Sequence, residues 1–274
     1  MIDYSKENWY QMALPQTRIV SYNEAKGKFN PRIAIIVAVR EELNAVLKSI
    51  RPFNYCKRVW KVMYSHDTYY LGRFGAFDTV VQLCGTGSQG ISGSTLAINQ
   101  LIECWNPDCV VLTGIAFGVN KEKQSIADVL IADCIIPYEK QRKGFRTVFR
   151  SPIPNGSSEL INRARNIQDW IFLKPDKKQA NVHFGQILSG EKLIDNTEFK
   201  NSLLCSFPEA IGGEQEGTGL WSAAERNKKP WILIKAINDW GENKSDGNKE
   251  LAAAAAVSFC ECMFSNKHTL DGVK

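Results

Sequence analysis

The sequence predicts a single α/β domain, built on a large mixed β-sheet that is flanked by helices. Continuous apolar runs such as "RIAIIVAV" and "WILIKAIND" are typical of strands buried on both faces. Segments with helical spacing alternate with these runs along the chain. No linker and no repeat period divides the sequence, so we expect one domain at residues 32–274, preceded by a polar N-terminal arm at residues 1–31.

The predicted elements follow one another in regular alternation. A β-branched strand and an amphipathic helix occupy residues 32–50, and short strand signals fill residues 56–83. A glycine-rich turn then leads into a helix at 84–105, and the next strand ends in "TGIAFG". The remaining elements are a strand pair at 126–139, an exposed basic loop at 140–157, a helix at 158–172, a strand pair at 181–194, helices at 197–207 and 217–229, a strand at 230–239 and a last helix at 247–266.

Composition argues against several classes of protein. The net charge of +5 permits an anionic ligand but does not favour nucleic acid as a partner. The first residues do not form a signal peptide, and no apolar run reaches the ~18 residues of a membrane span, so we expect a cytoplasmic protein with no membrane association. The histidines are scattered, no CxxC occurs, and no GxGxxG fingerprint is present, so neither a metal nor another cofactor is expected.

Polar or glycine-rich sequence follows several of the predicted strands. Ligands of open α/β sheets bind beyond the carboxyl ends of strands, so these positions are candidate site residues. Each also has a structural explanation, since carboxylates favour a helix start, glycines permit tight turns and an aspartate can cap a helix. The segments are Glu41-Glu42, "CGTG" (84–87), "TGIAFG" (113–118), "GGEQEG" (212–217) and Asn238-Asp239.

The order of these motifs resembles the nucleoside phosphorylase/nucleosidase superfamily, in particular the methylthioadenosine/S-adenosylhomocysteine nucleosidases. The resemblance covers roughly residues 32–265 and is most specific between 185 and 240. The segment "IKAINDWGENKSDGNKELAAAAAVSF" is similar to phosphorylase-like domains of bacterial signalling and defence proteins. The resemblance to the superfamily implies that the protein hydrolyses the N-ribosidic bond of a purine nucleoside or nucleotide, with adenine as the favoured base. An antiviral role through nucleotide depletion is a further implication.

The resemblance also implies a role for each candidate residue. Asp239 corresponds to the acid that protonates the purine, a task that needs a pKa near the operating pH. Glu42 corresponds to the carboxylate that activates water, and Glu216 to the acceptor of the ribose hydroxyls. The other candidate substrate-binding residues are Glu214, Gln215, Thr86, Gly87, Phe117, Leu193 and Ile194.

This chain departs from the family pattern at Gln215, Asn238 and Phe117, where the family usually has methionine, serine and glycine. These changes leave the proposed carboxylates in place but alter what the pocket can accept.

Several alternatives stay open on the sequence. A phosphate-dependent phosphorylase is one, although the early Gly-Asp-Pro of that branch is missing and a single arginine, Arg40, follows the first strand. A non-catalytic nucleotide-binding module is another. The basic residues Arg142, Lys143 and Arg146 either are solvated or, with Arg40, bind substrate phosphates. The resemblance implies a homo-oligomer, a dimer or larger, and is compatible with a signalling or defence partner protein.

Overall fold

The computed structural model describes residues 12–145, 147–242 and 246–273. The predicted arm residues 1–11 and the basic-loop residue Arg146 lie outside these ranges. The strands are β1 (Thr17–Ile19), β2 (Ile33–Val37), β3 (Val59–Tyr64), β4 (Asp67–Phe74), β5 (Phe77–Leu83), β6 (Cys109–Gly118), β7 (Val129–Pro137), β8 (Gln141–Lys143), β9 (Thr147–Phe149), β10 (Val182–Ser189), β11 (Ala210–Glu214) and β12 (Trp231–Asp239). The helices are α1 (Tyr22–Lys26), α2 (Arg40–Ser49), α3 (Ser94–Trp105), α4 (Ser158–Arg165), α5 (Thr197–Ser206), α6 (Gly217–Arg226) and α7 (Lys249–Phe264), with a 3₁₀ turn at Asp246–Asn248.

Ten of the strands form one mixed sheet, in the order β1-β3-β4-β5-β2-β6-β11-β10-β7-β12. Strand β12 also pairs with β6, so that β6, β11, β10, β7 and β12 close into a ring. Strands β2, β6 and β12 are parallel to one another, whereas β11 is antiparallel to β6. This arrangement confirms the predicted fold class, a single α/β domain on a large mixed sheet.

Helices cover both faces of the sheet because its central strands are apolar on both sides. In β2, Ile33, Ile35 and Val37 pack into the core with α2 and α7, whereas Ala34 and Ile36 pack on the other face with α3 and α6. This division follows the two-residue period of a strand. Among the described residues, no helix is long and apolar enough to cross a membrane.

Some predicted elements differ from the observed ones. The two predicted strand pairs are single continuous strands, β7 and β10, which pair with each other along their lengths. The helix predicted at 158–172 ends at Arg165, since Trp170 and Phe172 are buried in non-helical chain and the Trp170 indole N–H donates to Ser258 Oγ over 3.1 Å. Part of the predicted loop forms the β8–β9 hairpin.

The described part of the predicted arm carries secondary structure that its polar, breaker-rich sequence did not indicate. Strand β1 pairs in parallel with β3. Helix α1 begins after Ser21, whose hydroxyl accepts the Glu24 N–H. Ala25 of this helix is fully buried.

Candidate active site

A cavity of about 420 Å³ lies where the carboxyl ends of β2, β6, β11 and β12 meet. This volume is within the usual range for a site that holds a small molecule. The cavity brings together segments that are distant along the chain. The predicted site residues that line it are Glu42, Thr86, Phe117, Leu193, Ile194, Glu214, Gln215, Glu216 and Asp239.

Four other predicted residues have different positions. Gly87 does not line the cavity, but its N–H donates to Glu216 Oε1 over 3.1 Å. Arg40, Arg142 and Lys143 are exposed and are not among the lining residues. A phosphate-binding role for these three side chains therefore stays a prediction without support from the cavity.

Glu42 lies in the first turn of α2 and is 1% exposed. Its Oε2 accepts the N–H groups of Ala38 (2.7 Å) and Val39 (3.1 Å), and its Oε1 accepts that of Ile115 (2.8 Å). Burial raises the pKa of Glu42, although Lys235 and the backbone donors oppose the shift. A carboxylate with a raised pKa is a stronger base, and the three bonds hold it in one orientation.

Gly114 makes room for the Glu42 carboxylate. It has a φ of 151°, and a Cβ at this position would overlap the carboxylate of Glu42. Gly114, the first glycine of "TGIAFG", is therefore needed for the close approach of the Glu42 carboxylate, a role that its sequence context did not reveal.

Glu214 and Glu216 flank the turn between β11 and α6. The Glu214 carboxylate accepts the N–H of Glu216 (2.9 Å) and that of Gly217 (2.8 Å), so it caps the start of α6. The backbone carbonyl of Glu216 accepts the hydroxyl of Ser94 on α3 (2.9 Å). Glu214 thus holds the backbone that presents the Glu216 side chain to the cavity.

Lys235 is the functional candidate that the sequence analysis missed. It is fully buried in the middle of β12, and its Nζ lies 3.1 Å from Glu216 Oε2, 3.9 Å from Glu42 Oε1 and 4.0 Å from Glu214 Oε2. Burial by itself would lower the pKa of Lys235, but the three carboxylates outweigh it and raise that pKa. A signal was available, since a lone lysine inside the apolar run "WILIKAI" must be paired if it is buried.

The Lys235 cluster, which consists of Lys235, Glu42, Glu214 and Glu216, has more acidic than basic groups. Burial raises the pKa of Glu214 to about 7, with Lys235 opposing the shift and Glu216 adding to it. Near neutral pH the cluster can therefore hold a proton on one of its carboxyl groups. Within the described ranges, no group of three or more His, Cys, Asp or Glu side chains is arranged to bind a metal ion.

Asp239 ends β12, beside Phe117 at the end of β6. Its Oδ1 accepts the N–H of Gly241 (2.7 Å), and its Oδ2 accepts the side-chain amide of Asn238 (3.0 Å). The side chain is half-buried and reaches the cavity. These two bonds orient the carboxylate toward whatever occupies the cavity.

The loop after Asp239 is tied to neighbouring segments. Lys200 of α5 donates to the Trp240 carbonyl (2.8 Å) and to Glu242 (3.2 Å). Glu242 also accepts from Thr197 (2.9 Å) and Lys121 (2.6 Å). This loop is therefore fixed to α5, the helix that follows Leu193 and Ile194 in the chain.

Apolar groups form another wall of the cavity. Phe117 and Ile194 are buried, whereas Leu193 is 67% exposed and lies at the rim. A Cβ on Gly213 would overlap the Phe117 ring, so this glycine permits the ring to enter the wall. A flat apolar surface next to Asp239 can pack against a purine base.

The "CGTGS" turn uses its donors internally. The N–H and hydroxyl of Ser88 both donate to the Glu191 carboxylate, and the N–H of Gly87 donates to Glu216. Gln215 fixes this region from the other side, since its amide donates to the Glu191 carbonyl (2.9 Å). The N–H groups of Gly87 and Ser88 are therefore already bonded to protein carboxylates, whereas Thr86 of the same turn lines the cavity.

Comparison with known proteins gives a consistent result. The sequence model of the phosphorylase superfamily matches residues 32–263. A death domain-containing ATP nucleosidase of Amphimedon queenslandica is 27% identical over 88% of this chain, which spans only 48% of that protein. A 5′-methylthioadenosine/S-adenosylhomocysteine nucleosidase of Staphylococcus epidermidis is 26% identical, and the match covers 84% of this chain and 96% of that protein.

A solved structure has the same fold. It is the 5′-methylthioadenosine/S-adenosylhomocysteine nucleosidase of Neisseria meningitidis in complex with methylthio-immucillin-A. The two chains superpose with a TM-score of 0.72 at 21% identity, over 85% of this chain and 98% of the other.

Proposed function

The chain belongs to the phosphorylase superfamily, and from this premise we propose that it hydrolyses the N-ribosidic bond of a purine nucleoside or nucleotide. Relatives that share about a quarter of its residues are named as nucleosidases, which supports the reaction at this level. The observation that carries the proposal is the convergence of Glu42, Glu216 and Asp239 on one cavity beside an apolar wall.

Asp239 acts on the leaving group in this proposal. A purine leaves poorly as an anion, so an acid that gives a proton to N7 lowers the barrier. Asp239 stands next to the apolar wall formed by Phe117 and Ile194, where a base would bind. As in glycosidases, this acid is separate from the carboxylate that directs water.

Glu42 and Lys235 act on the nucleophile. Glu42 accepts three backbone N–H groups and has a raised pKa, so it is an oriented base for a water molecule that attacks the anomeric carbon. Lys235 lies between Glu42 and Glu216 and keeps both carboxylates close to the same space. Glu216 accepts the ribose hydroxyls, because an ionised carboxylate can take two donors.

Hydrolysis is favoured over phosphorolysis by the charges beside Glu42, the end of the cavity where we place the nucleophile. A phosphate co-substrate would approach Glu42, Glu214 and Glu216, with one buried lysine among them. The donors of the Gly87-Ser88 turn are already bonded to protein carboxylates. Water, which is neutral, meets no such repulsion.

A phosphorylated substrate is supported by two lysines of the cavity wall, Lys192 and Lys249. Lys192 is paired with Glu139, and Lys249 is the first residue of α7. The relative that is named an ATP nucleosidase points the same way. An enzyme that removes adenine from nucleotides would deplete the nucleotide pool, which is the defence role that we include in this proposal.

The test is a substrate panel read by chromatography. It covers methylthioadenosine, S-adenosylhomocysteine, adenosine, inosine, AMP and ATP, each with and without inorganic phosphate. We expect free base and free ribosyl product without phosphate. Base release only with phosphate, with a sugar 1-phosphate as product, would identify a phosphorylase instead.

Asp239→Asn separates an enzyme from a nucleotide-binding module. The change preserves shape but removes the acid, so we expect turnover to fall by about 10²–10⁴-fold while ligand binding is retained. Binding measured by calorimetry together with no base release from any substrate in the wild-type protein would favour the non-catalytic module.

A further inference from the structure

Lys200 is a buried lysine of α5 that the proposed reaction does not use. It is 6% exposed and is not among the residues that line the cavity. Its ammonium group donates to the Trp240 carbonyl over 2.8 Å and to Glu242 over 3.2 Å. A lysine is rarely buried unless it is paired, so these two contacts account for its burial and tie it to the loop that follows Asp239.

The carbonyl that accepts from Lys200 belongs to the peptide group between Trp240 and Gly241. The N–H of the same peptide group donates to Asp239 Oδ1 over 2.7 Å. A trans peptide group is planar, and its C=O and N–H point in opposite directions, so a bond that fixes the carbonyl also fixes the N–H. Lys200 and Asp239 therefore lie at opposite ends of one peptide dipole.

This peptide group can adopt two orientations because a glycine follows it. Gly241 has a φ of 66°, but glycine populates positive and negative φ about equally. Type I and type II turns differ by a half-turn of such a peptide group. That rotation would turn the N–H away from Asp239 and place the Trp240 carbonyl against the carboxylate. Lys200 opposes the rotation, since its bond to the carbonyl would be lost.

Gly241 also packs against the apolar wall of the cavity. A Cβ at this position would lie 3.4 Å from Lys200 Cδ, 3.4 Å from Phe117 Cδ2 and 3.5 Å from Ile194 Cγ2. The segment that binds Asp239 is therefore held between the Lys200 stem and the wall where the base would bind. Lys200 thus acts at the point where this wall meets the proposed acid.

We propose that Lys200 is a positioning residue that orients Asp239 through the Trp240–Gly241 peptide group. This inference rests on the proposed function, in which Asp239 protonates the purine. The Lys200 charge also polarises the peptide group, and hydrogen bonds in a chain reinforce one another, so the N–H binds the carboxylate more strongly. Because Lys200 does not line the cavity, it acts on the reaction only through Asp239.

The first test is Lys200→Met, assayed on the purine substrate that the wild-type protein hydrolyses fastest. Methionine keeps an apolar stem and removes the donor, so we expect kcat to fall by about 10- to 100-fold, part of what a positioned acid contributes. KM should change by about twofold or less, because Glu216 and the apolar wall are untouched. An unchanged kcat would overturn this inference alone. No base release by the wild-type protein would overturn the proposed function, and this inference with it.

The second test separates positioning of the acid from a general structural role. If Lys200 acts through Asp239, it contributes nothing further once the acid is gone. Lys200→Met should therefore lower kcat by about twofold or less in a protein that already carries Asp239→Asn. A fall as large as the one in the wild-type background would show that Lys200 supports the site in another way, and would overturn the inference.

Lys200→Arg is the conservative variant. Arginine keeps a charged donor for the Trp240 carbonyl, so its kcat should lie above that of Lys200→Met. Urea denaturation checks that each variant is folded in the assay. Equal losses of kcat in the two folded variants would overturn the inference.

Lys121→Gln is the matched control. Lys121 also pairs with Glu242, at 2.6 Å, but among the described contacts it does not bond to the Trp240 carbonyl. This variant removes a lysine from the same loop without freeing the peptide group that binds Asp239. Its kcat should stay within about twofold of the wild-type value.

Discussion

Two buried groups of charges in the described part of the chain differ in their balance. The Lys235 cluster has three carboxylates around one ammonium group and lines the cavity through its carboxylates. The second group, the Asp128 cluster, has one carboxylate and several donors. Its members are Asp128, the side chains of His183 and Lys174, and the N–H groups of Ser125 and Asn181.

The Asp128 cluster satisfies its carboxylate completely. Asp128 is fully buried just before β7, and it accepts His183 Nε2 at 2.9 Å and the N–H groups of Asn181 and Ser125 at 3.0 Å each. Burial alone would raise the pKa of Asp128, but the bond from His183 and these backbone donors lower it overall. Neither Asp128 nor its partners line the cavity.

The contrast shows how burial can serve two purposes. Excess donors keep Asp128 ionised and fix the chain at the start of β7. Burial, to which the charge of Glu216 adds, raises the pKa values of Glu42 and Glu214, and this suits groups that exchange protons with a ligand. The described residues thus place the repelling carboxylates of the Lys235 cluster beside the cavity.

Removal of the single cation should affect the protein most. Lys235→Met leaves Glu42, Glu214 and Glu216 buried without a counter-charge, so we expect the free energy of unfolding to fall by about 3–5 kcal/mol at pH 8. The loss should be smaller at pH 5, where carboxyl groups can take up protons. Urea denaturation followed by tryptophan fluorescence measures both values. A loss below about 1 kcal/mol at pH 8 would mean that Lys235 does not balance these charges.

Glu214→Gln should change the pH dependence of stability. The pKa of Glu214 is about 7 in the folded protein and about 4.5 without the environment of the fold. Between these values the unfolded chain loses the proton that the folded state keeps, so the wild-type protein loses stability as pH rises. Above pH 7 this loss of unfolding free energy, caused by the raised pKa of Glu214, reaches about 3 kcal/mol.

Glu214→Gln has no carboxyl group at this position, so it should not show this pH-dependent loss of stability. The difference in unfolding free energy between wild type and Glu214→Gln should therefore move in favour of the variant as pH rises from 4.5 to 7. Chemical denaturation at several pH values gives this difference. A difference that is constant with pH would show that the fold does not raise the pKa of Glu214.

Asp128→Asn should separate stability from activity. The amide accepts fewer hydrogen bonds than the carboxylate and leaves donors unpaired, so we expect a loss of about 1–3 kcal/mol in unfolding free energy. Because the pKa of Asp128 is lowered in the fold, its contribution is present at neutral pH and disappears as pH falls through that pKa. The kcat of base release should be unchanged, and a large fall in kcat would remove the distinction between the two clusters.

Lys121→Gln should have the smallest effect. Lys121 is 60% exposed and pairs with Glu242 at 2.6 Å on the loop that follows Asp239. Exposed ion pairs contribute little and are screened by salt, so kcat should change by about twofold or less. Lys200 and Thr197 still hold Glu242 in the variant. A large fall in kcat would show that the exposed pair is needed to hold this loop.

Much of the fold could be predicted from the sequence, because the spacing of apolar residues and the length of apolar runs indicate which segments are buried. The runs at β2 and β12 predicted buried strands, and both strands are buried except at Asp239, the last residue of β12. The helix predicted at 158–172 was too long because buried apolar residues after Arg165 were taken as a continuation of its helical pattern. Trp170 and Phe172 are apolar and buried, but they pack in non-helical chain after α4.

The sequence by itself determined the central strands, most of the helices and the positions at which carboxylates follow strands. Only the tertiary structure decided which charges meet. Lys235 was overlooked because its partners are distant along the chain: Glu42 on α2, Glu214 at the end of β11 and Glu216 just after it. Strand β11 is antiparallel to β6, a direction that no local pattern encodes. Asn238 and Asp239 both line the cavity, at a register shift of β12 against β6. Side-chain type and spacing reflect local burial, whereas electrostatic balance depends on distances between segments that are set by packing of the whole chain.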